Sequence, residues 1–218
     1  MKKMGLFQRK ECVLCGGKVG LLIRYKLVNG DYICGDCREK MPNYTKGIED
    51  FTVDEVKDLI SLKEENDRRF ENEFVTSRRF DFDNKHPMMA VDDEHGEFAI
   101  LKDKKPDIFK FDEILNFYVD LHTKLLSTEE TKKTSAFMDV VKYMTSKDFG
   151  SRYPDLPRCG LGYKITGMYF QINLGKNPYH AEEIRLDMLP NWSNSTDQLE
   201  KAYRCANDMY QCIKEYKG

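Results

Sequence analysis

Residues 12–37 read Cys-Val-Leu-Cys-Gly-Gly-Lys-Val-Gly-Leu-Leu-Ile-Arg-Tyr-Lys-Leu-Val-Asn-Gly-Asp-Tyr-Ile-Cys-Gly-Asp-Cys. Two CxxC pairs, Cys12/Cys15 and Cys34/Cys37, are separated by eighteen residues, the interval expected of a four-cysteine zinc site. Two residues between cysteines let a tight turn aim both sulfurs at one point, and two such turns complete a tetrahedron of thiolates. Gly16 and Gly17 follow the first pair and Gly35 lies inside the second, where glycine relieves the strained backbone of such turns.

Between the pairs, two β-rich runs flank Asn29-Gly30, the strongest short hairpin signal. A hairpin there returns the second pair to the first, and the segment reads as a zinc ribbon. The rival reading of a CxxC is a redox pair on a βαβ unit, but nothing helical follows Cys15 closely and a redox motif has no need of a second pair. The predicted site is structural and closed, because four thiolates leave no position for water. A module this small has little core, so one Zn2+ ion is expected to supply most of its folding energy.

The remaining thiols, Cys159, Cys205 and Cys212, read as buried structural residues. Cys205 and Cys212 are seven apart on a predicted helix, roughly 10 Å along its axis, too far to bridge. No apolar run approaches the roughly 18 residues of a membrane span, and the opening Met-Lys-Lys-Met-Gly-Leu-Phe lacks the apolar core of a secretory signal. A cytoplasmic location, where thiols stay reduced, is the expectation. With 40% hydrophobic and 33% charged residues, the chain reads as a globular protein with a heavily solvated surface. The net charge of −2 gives no overall reason to expect nucleic acid or an anionic membrane, but it hides a local asymmetry. Residues 1–40 are net +5, whereas residues 49–75 are net −6.

Beyond Met41-Pro42-Asn43, Thr52 and Glu55 form a capping box that opens a helix over 52–75, with Val53, Val56, Leu59 and Ile60 on one face. The charge run from Lys63 to Glu73 reads as a solvated face, with a break near Asn66. Short strand-like runs follow at 79–82, 88–91, 97–101, 108–111 and 114–121. A stretch at 122–160 interrupts them with one helix, whose apolar face is Phe137, Val140, Val141 and Met144. Alternation resumes at 168–174 and 184–188. Pro190 to Asn194 reads as a loop, and Ser195 with Gln198 caps a final amphipathic helix. The predicted class is α+β. It comprises a zinc ribbon at 1–42, a charged helical linker at 43–77, and a domain of about seven strands with a C-terminal helix at 78–218, carrying a helical insertion at 122–160.

Several runs carry a resemblance. Cys12-x-x-Cys15-Gly16-Gly17, the Arg24-x-Lys26-Leu27 strand, Asn29-Gly30 and Cys34-x-x-Cys37 resemble a bacterial zinc-ribbon family of unknown function, whose members often continue into a bacterial pleckstrin-homology-like domain. The second half is similar to that domain at Ala90-Val91-Asp92-Asp93-Glu94-His95, at Ile108 through Leu115, at the Glu183-Ile184 strand and at the Ala202/Ala206 helix. The departure is at 122–160, where a charged helix stands in place of the Gly-rich apolar insertion of relatives. The resemblance implies a fold and no established activity.

Catalytic signatures are absent from the sequence. His86, His95, His122 and His180 are scattered, and no HExxH, GxSxG, Walker or GxGxxG motif occurs. Gly160-Leu-Gly162 reads as a bend, and Asp92-Asp93-Glu94 as a solvated acidic turn. The expectation is a non-enzymatic adaptor that binds a protein partner. Phosphoinositide recognition calls for clustered Lys/Arg in an early hairpin loop, but the loops near 84–96 are acidic with Lys85 nearly alone. Lys102, Lys104 and Lys105 are offset by Asp103 and Asp107. The alternative partner is nucleic acid, tracked by Lys18, Arg24, Tyr25 and Lys26 of the ribbon together with Tyr32.

Overall fold

The structure, a computed structural model, describes residues 10–20, 24–83, 85–102, 105–127, 135–190 and 195–218. Parts of several expectations lie outside those residues: residues 1–9 of the ribbon, the start of the first hairpin run at 21–23, residue 84 of the acidic loops, Asp103 and Lys104 of the basic cluster, the insertion's 128–134, and the 191–194 loop. The side chain of Phe137 lies outside them as well. The architecture is mixed α/β, and its contacts divide the chain into two units.

The first unit holds residues up to Phe74 together with 105–107 and 176–182. Strands β1 (Lys10–Glu11) and β2 (Lys18–Val19) pair antiparallel across the first CxxC. Strands β3 (Arg24–Lys26) and β4 (Tyr32–Cys34) form the expected hairpin, with Arg24 opposite Cys34. At its turn Gly30 takes φ +89°, and the Asn29 side chain accepts the Asp31 N–H at 3.1 Å. One short helix, α1 (Gly35–Arg38), follows β4 directly. The longer α2 (Val53–Asn72) begins at the capping box: the Thr52 hydroxyl accepts the Glu55 N–H at 3.3 Å, and the Glu55 carboxylate accepts the Thr52 N–H at 2.7 Å. It runs unbroken through Asn66.

The first half of α2 shares one core with the hairpins. Val56 and Leu59 join Cys12, Val19, Leu27, Ile33, Cys37, Met41, Ile48 and Phe51 in a single buried cluster. Burying an aliphatic side chain of this kind contributes about 1.5–3 kcal/mol. The cysteine module therefore has more apolar support than its own forty residues provide.

The charge run of α2 is not uniformly solvated. Lys63 is only 3% exposed, because four oxygens surround its Nζ. Asp107 Oδ1 lies at 2.7 Å, the Lys105 carbonyl at 2.8 Å, Asp67 Oδ1 at 3.0 Å and the Pro106 carbonyl at 3.1 Å. Asn66 donates to the Pro106 carbonyl at 2.7 Å and accepts from the Tyr179 hydroxyl at 2.9 Å. A buried ammonium persists only when paired and hydrogen-bonded; Asp67 of α2 and the 105–107 segment supply the partners of Lys63, and the 176–182 segment supplies the hydroxyl on Asn66.

In the second unit, β5 (Arg78–Asp83), β6 (His86–Asp92), β7 (Glu97–Ile100) and β8 (Ile108–Lys110) form an antiparallel four-stranded meander. Strands β9 (Ile114–Leu125), β10 (Tyr163–Leu174) and β11 (Glu183–Asp187) form a three-stranded antiparallel sheet ordered β11-β10-β9. The β9–β10 ladder extends from Ile114 opposite Leu174 to Leu125 opposite Tyr163. It takes in residues 122–125, read from sequence as the start of the insertion. Their exposed side chains, three of the four polar, hide a strand whose partner is far along the chain.

Between β9 and β10 lie helices α3 (Ser135–Met144) and α4 (Lys147–Arg152). The final helix, α5 (Thr196–Lys217), starts at the Ser195 cap. It buries Leu199, Ala202, Tyr203, Ala206, Met209 and Ile213, the apolar stripe the periodicity predicts, and packs against β5 and β9. Phe98, Phe109, Met168, Phe170 and Ile172 complete this core. Among the described residues no helix is long and apolar enough to cross a membrane.

Candidate metal centre

The first cysteine turn forms because Gly16 accepts φ +68°, and its N–H donates to the Cys12 carbonyl at 2.8 Å. The Cys12 N–H closes the loop on the Gly17 carbonyl at 2.7 Å, and the Val13 N–H ties the turn to the Tyr32 carbonyl of β4 at 2.9 Å. A Cβ on Gly17 would stand 3.2 Å from Cys15 Sγ, so the second glycine leaves room for the sulfur. The second pair is built differently from the first. Cys34 ends β4 and is the N-cap of α1, and Cys37 lies within that helix. The sequence reading anticipated two similar turns. Instead one turn and one helix start converge.

All four Sγ atoms lie within 4.8 Å of one another. Cys12 Sγ is 3.7 Å from Cys37 Sγ, and Cys15 Sγ is 3.7 Å from Cys34 Sγ. A disulfide needs about 2.05 Å, so none is formed. A tetrahedral ion with sulfur bonds of about 2.3 Å requires edges of about 3.8 Å. The residues thus fit a tetrahedral metal site.

Burial acts to raise the Cys12 thiol, but N–H groups of Cys34, Cys15 and Leu14 outweigh it and lower its pKa to about 6. The Cys34 N–H lies 3.4 Å from that sulfur. Burial raises Cys34 and Cys37, and at Cys37 the neighbouring sulfurs add to the rise. Four crowded sulfurs cannot all ionise alone, and a divalent cation at their centre would reconcile them. Cys12 and Cys37 are buried, Cys34 is half-buried and Cys15 is exposed, so the cluster lies at the surface of the unit.

The other three cysteines are apart from this group and buried. Burial pushes Cys205 up to about 12 and Cys212 up to about 11, and raises Cys159 as well. Those directions suit packing and oppose reactivity.

The basic residues named from the sequence are brought together only in part. Arg24, Tyr25 and Lys26 are exposed on β3, and strand alternation puts Arg24 and Lys26 on one face and Tyr25 on the other. Lys18 is exposed on β2. Tyr25 lines a hollow of about 470 Å³ with Arg38, Asn43 and Thr45. Arg38 there is committed to the carbonyls of Pro42, Asn43 and Thr45. Sequence reasoning missed Lys10, whose Nζ lies 5.3 Å from the Tyr32 ring, as does the Arg24 guanidinium carbon. Its place two residues before Cys12, on a strand pairing with Lys18–Val19, was the available signal.

Residues 10–59 match a family model described as a domain of unknown function, DUF4428. No curated protein and no solved structure matches the chain. The matched span starts on β1 and ends at Leu59, the last residue of the apolar cluster that includes Cys12 and Cys37. The family match and the shared core describe the same piece of chain.

Proposed function

We propose that the chain is a non-enzymatic, zinc-dependent cytoplasmic adaptor whose second unit is a pleckstrin-homology-like platform for a protein partner. The observation that carries the metal half is the pair of 3.7 Å sulfur separations, matched to the edge of a zinc–thiolate tetrahedron. Zinc bound there cross-links the first turn, β4 and α1, and closes the site to water. The platform half is supported by strand order, with four meander strands, three more strands and one closing helix.

The titratable clusters support a role without catalysis, since each serves the fold. Glu200 takes the hydroxyls of Tyr143 and Tyr153 and the guanidinium of Arg152, joining α3 and α4 to α5. Asp92 accepts the Val75 N–H and pairs with His95 in the β6–β7 turn. That turn is acidic, with Asp92, Asp93 and Glu94, which disfavours a phosphoinositide headgroup. A protein ligand suits an exposed sheet edge.

Two measurements test the reading. Protein purified without chelator should carry one zinc per chain by elemental analysis, and Cys12→Ser or Cys37→Ser should lose it. Content well below one would remove the metal half. A tagged pull-down from native lysate, with and without nuclease, should recover a stoichiometric protein in both arms. Recovery that collapses with nuclease would favour the second reading, nucleic acid held by Lys18, Arg24, Tyr25 and Lys26. The observation behind that reading is the basic and aromatic grouping of Lys10, Arg24 and Tyr32. It requires affinity that falls steeply with salt.

A further inference from the structure

Strand β9 is twelve residues long and lies at the edge of its sheet, hydrogen-bonded to β10 on one side only among the described residues. Its first half, Ile-Leu-Asn-Phe-Tyr-Val at 114–119, carries no charge and no proline. Proteins ordinarily blunt such edges with lysine, proline or short length. Here Leu115, Tyr118 and Leu125 are exposed, at 69%, 45% and 64%. The opposite edge, β11, has five residues and carries Glu183, Arg185 and Asp187 along its whole length, whereas β9 is uncharged over 114–119 and carries its charges, Asp120 and Lys124, only in its second half.

We infer that β9 pairs antiparallel with β9 of a second copy of this chain, joining two three-stranded sheets into one. Antiparallel pairing of a strand with itself is a closed two-fold contact and stops at the dimer. Charge selects the register. Asp120, His122 and Lys124 share one face of the strand. An axis through His122 sets each Asp120 opposite the partner's Lys124, sets His122 opposite itself, and sets Val119 and Tyr118 opposite the partner's Leu125 and Leu126; the paired span is then about 118–126, and Leu115 lies beyond it. An axis through Asp120 would face two carboxylates. His122 and Lys124 are exposed and Asp120 is half-exposed, accepting from His122 at 2.8 Å within one chain. This inference is independent of the metal and of the adaptor reading.

The test is the full chain in sedimentation equilibrium across a wide concentration range. A dimer is expected. Asp120→Lys turns two attractive facing pairs into repulsive ones and should raise the dimer Kd about tenfold or more. Asp120→Lys combined with Lys124→Asp should restore it to within about threefold. Oxidised His122→Cys should form a 122–122 disulfide located by peptide mapping, since facing Cβ atoms approach within about 5 Å, whereas Asn116→Cys should not. A chain that stays monomeric throughout overturns self-pairing and leaves the edge to an extended segment of another protein. A dimer that is indifferent to Asp120→Lys and yields no 122–122 bond overturns it equally.

Discussion

At the scale of single residues, seven cysteines divide by what surrounds each sulfur. Cys12, Cys15, Cys34 and Cys37 face one another, while Cys159, Cys205 and Cys212 are buried away from that cluster. Alkylation followed by intact mass should therefore add four labels on chelation of the native protein, and the remaining three only in denaturant. Labelling of Cys205 in the native, metal-loaded state would contradict the burial that raises its pKa. A second residue-scale test concerns Asp92 and His95. Burial acts to raise Asp92, but the Val75 N–H and His95 outweigh it, so its folded value is lowered. His95 is raised by its hydrogen bond to Asp92. The carboxylate contribution is present above about pH 3.9 and lost as pH falls through the folded value. The imidazolium contribution is complete below about pH 6.5 and lost as pH rises through the raised folded value. Urea denaturation of the second unit should thus show a plateau between the two. His95→Gln should abolish the fall on the alkaline side and keep the acid one.

At the scale of elements, α2 reads from sequence at its start and not along its length. The Thr52–Glu55 box and the Val56/Leu59 face are local signals, and both are realised. The burial of Lys63 is only partly local: Asp67 is four residues on, but the fully buried carboxylate, Asp107, is 44 residues away, and no periodicity carries that information. Helix α1 escaped the reading because four residues, Gly-Asp-Cys-Arg, hold no repeat. The cysteine quartet was legible because both pairs and the Asn29-Gly30 turn are short-range patterns. Lys63→Ala leaves Asp107 buried without its counter-charge, held by the backbone N–H groups of Asn43 and Tyr44, and should cost about 3–5 kcal/mol by denaturant melts. Lys63→Met combined with Asp107→Leu should cost much less, and equal losses would refute the pairing argument. The clamp on Glu200 belongs to this scale as well. Glu200→Gln should cost about 1–2 kcal/mol and lower hydrogen-exchange protection in α3 and α4 while the core of α5 stays protected.

At the scale of the molecule, metal removal should act on one unit. Chelation should expose amides of 10–72 to exchange while β5–β11 keep their protection, and simultaneous loss across both units would show that they unfold together. The first unit is itself discontinuous in sequence, with 105–107 and 176–182 supplying the oxygens and hydroxyl that Lys63 and Asn66 use. A fragment ending at residue 74 should accordingly bind metal yet melt well below the same unit in the full chain. The same discontinuity sets a schedule for biosynthesis. A ribosome adds about 5–20 residues per second, and Tyr179 is made roughly a hundred residues after Asn66. The segment made first therefore waits on the order of ten seconds for its last pieces, Asn66 still without the Tyr179 hydroxyl, and the unit nearest the N-terminus is among the last parts of the chain to be finished.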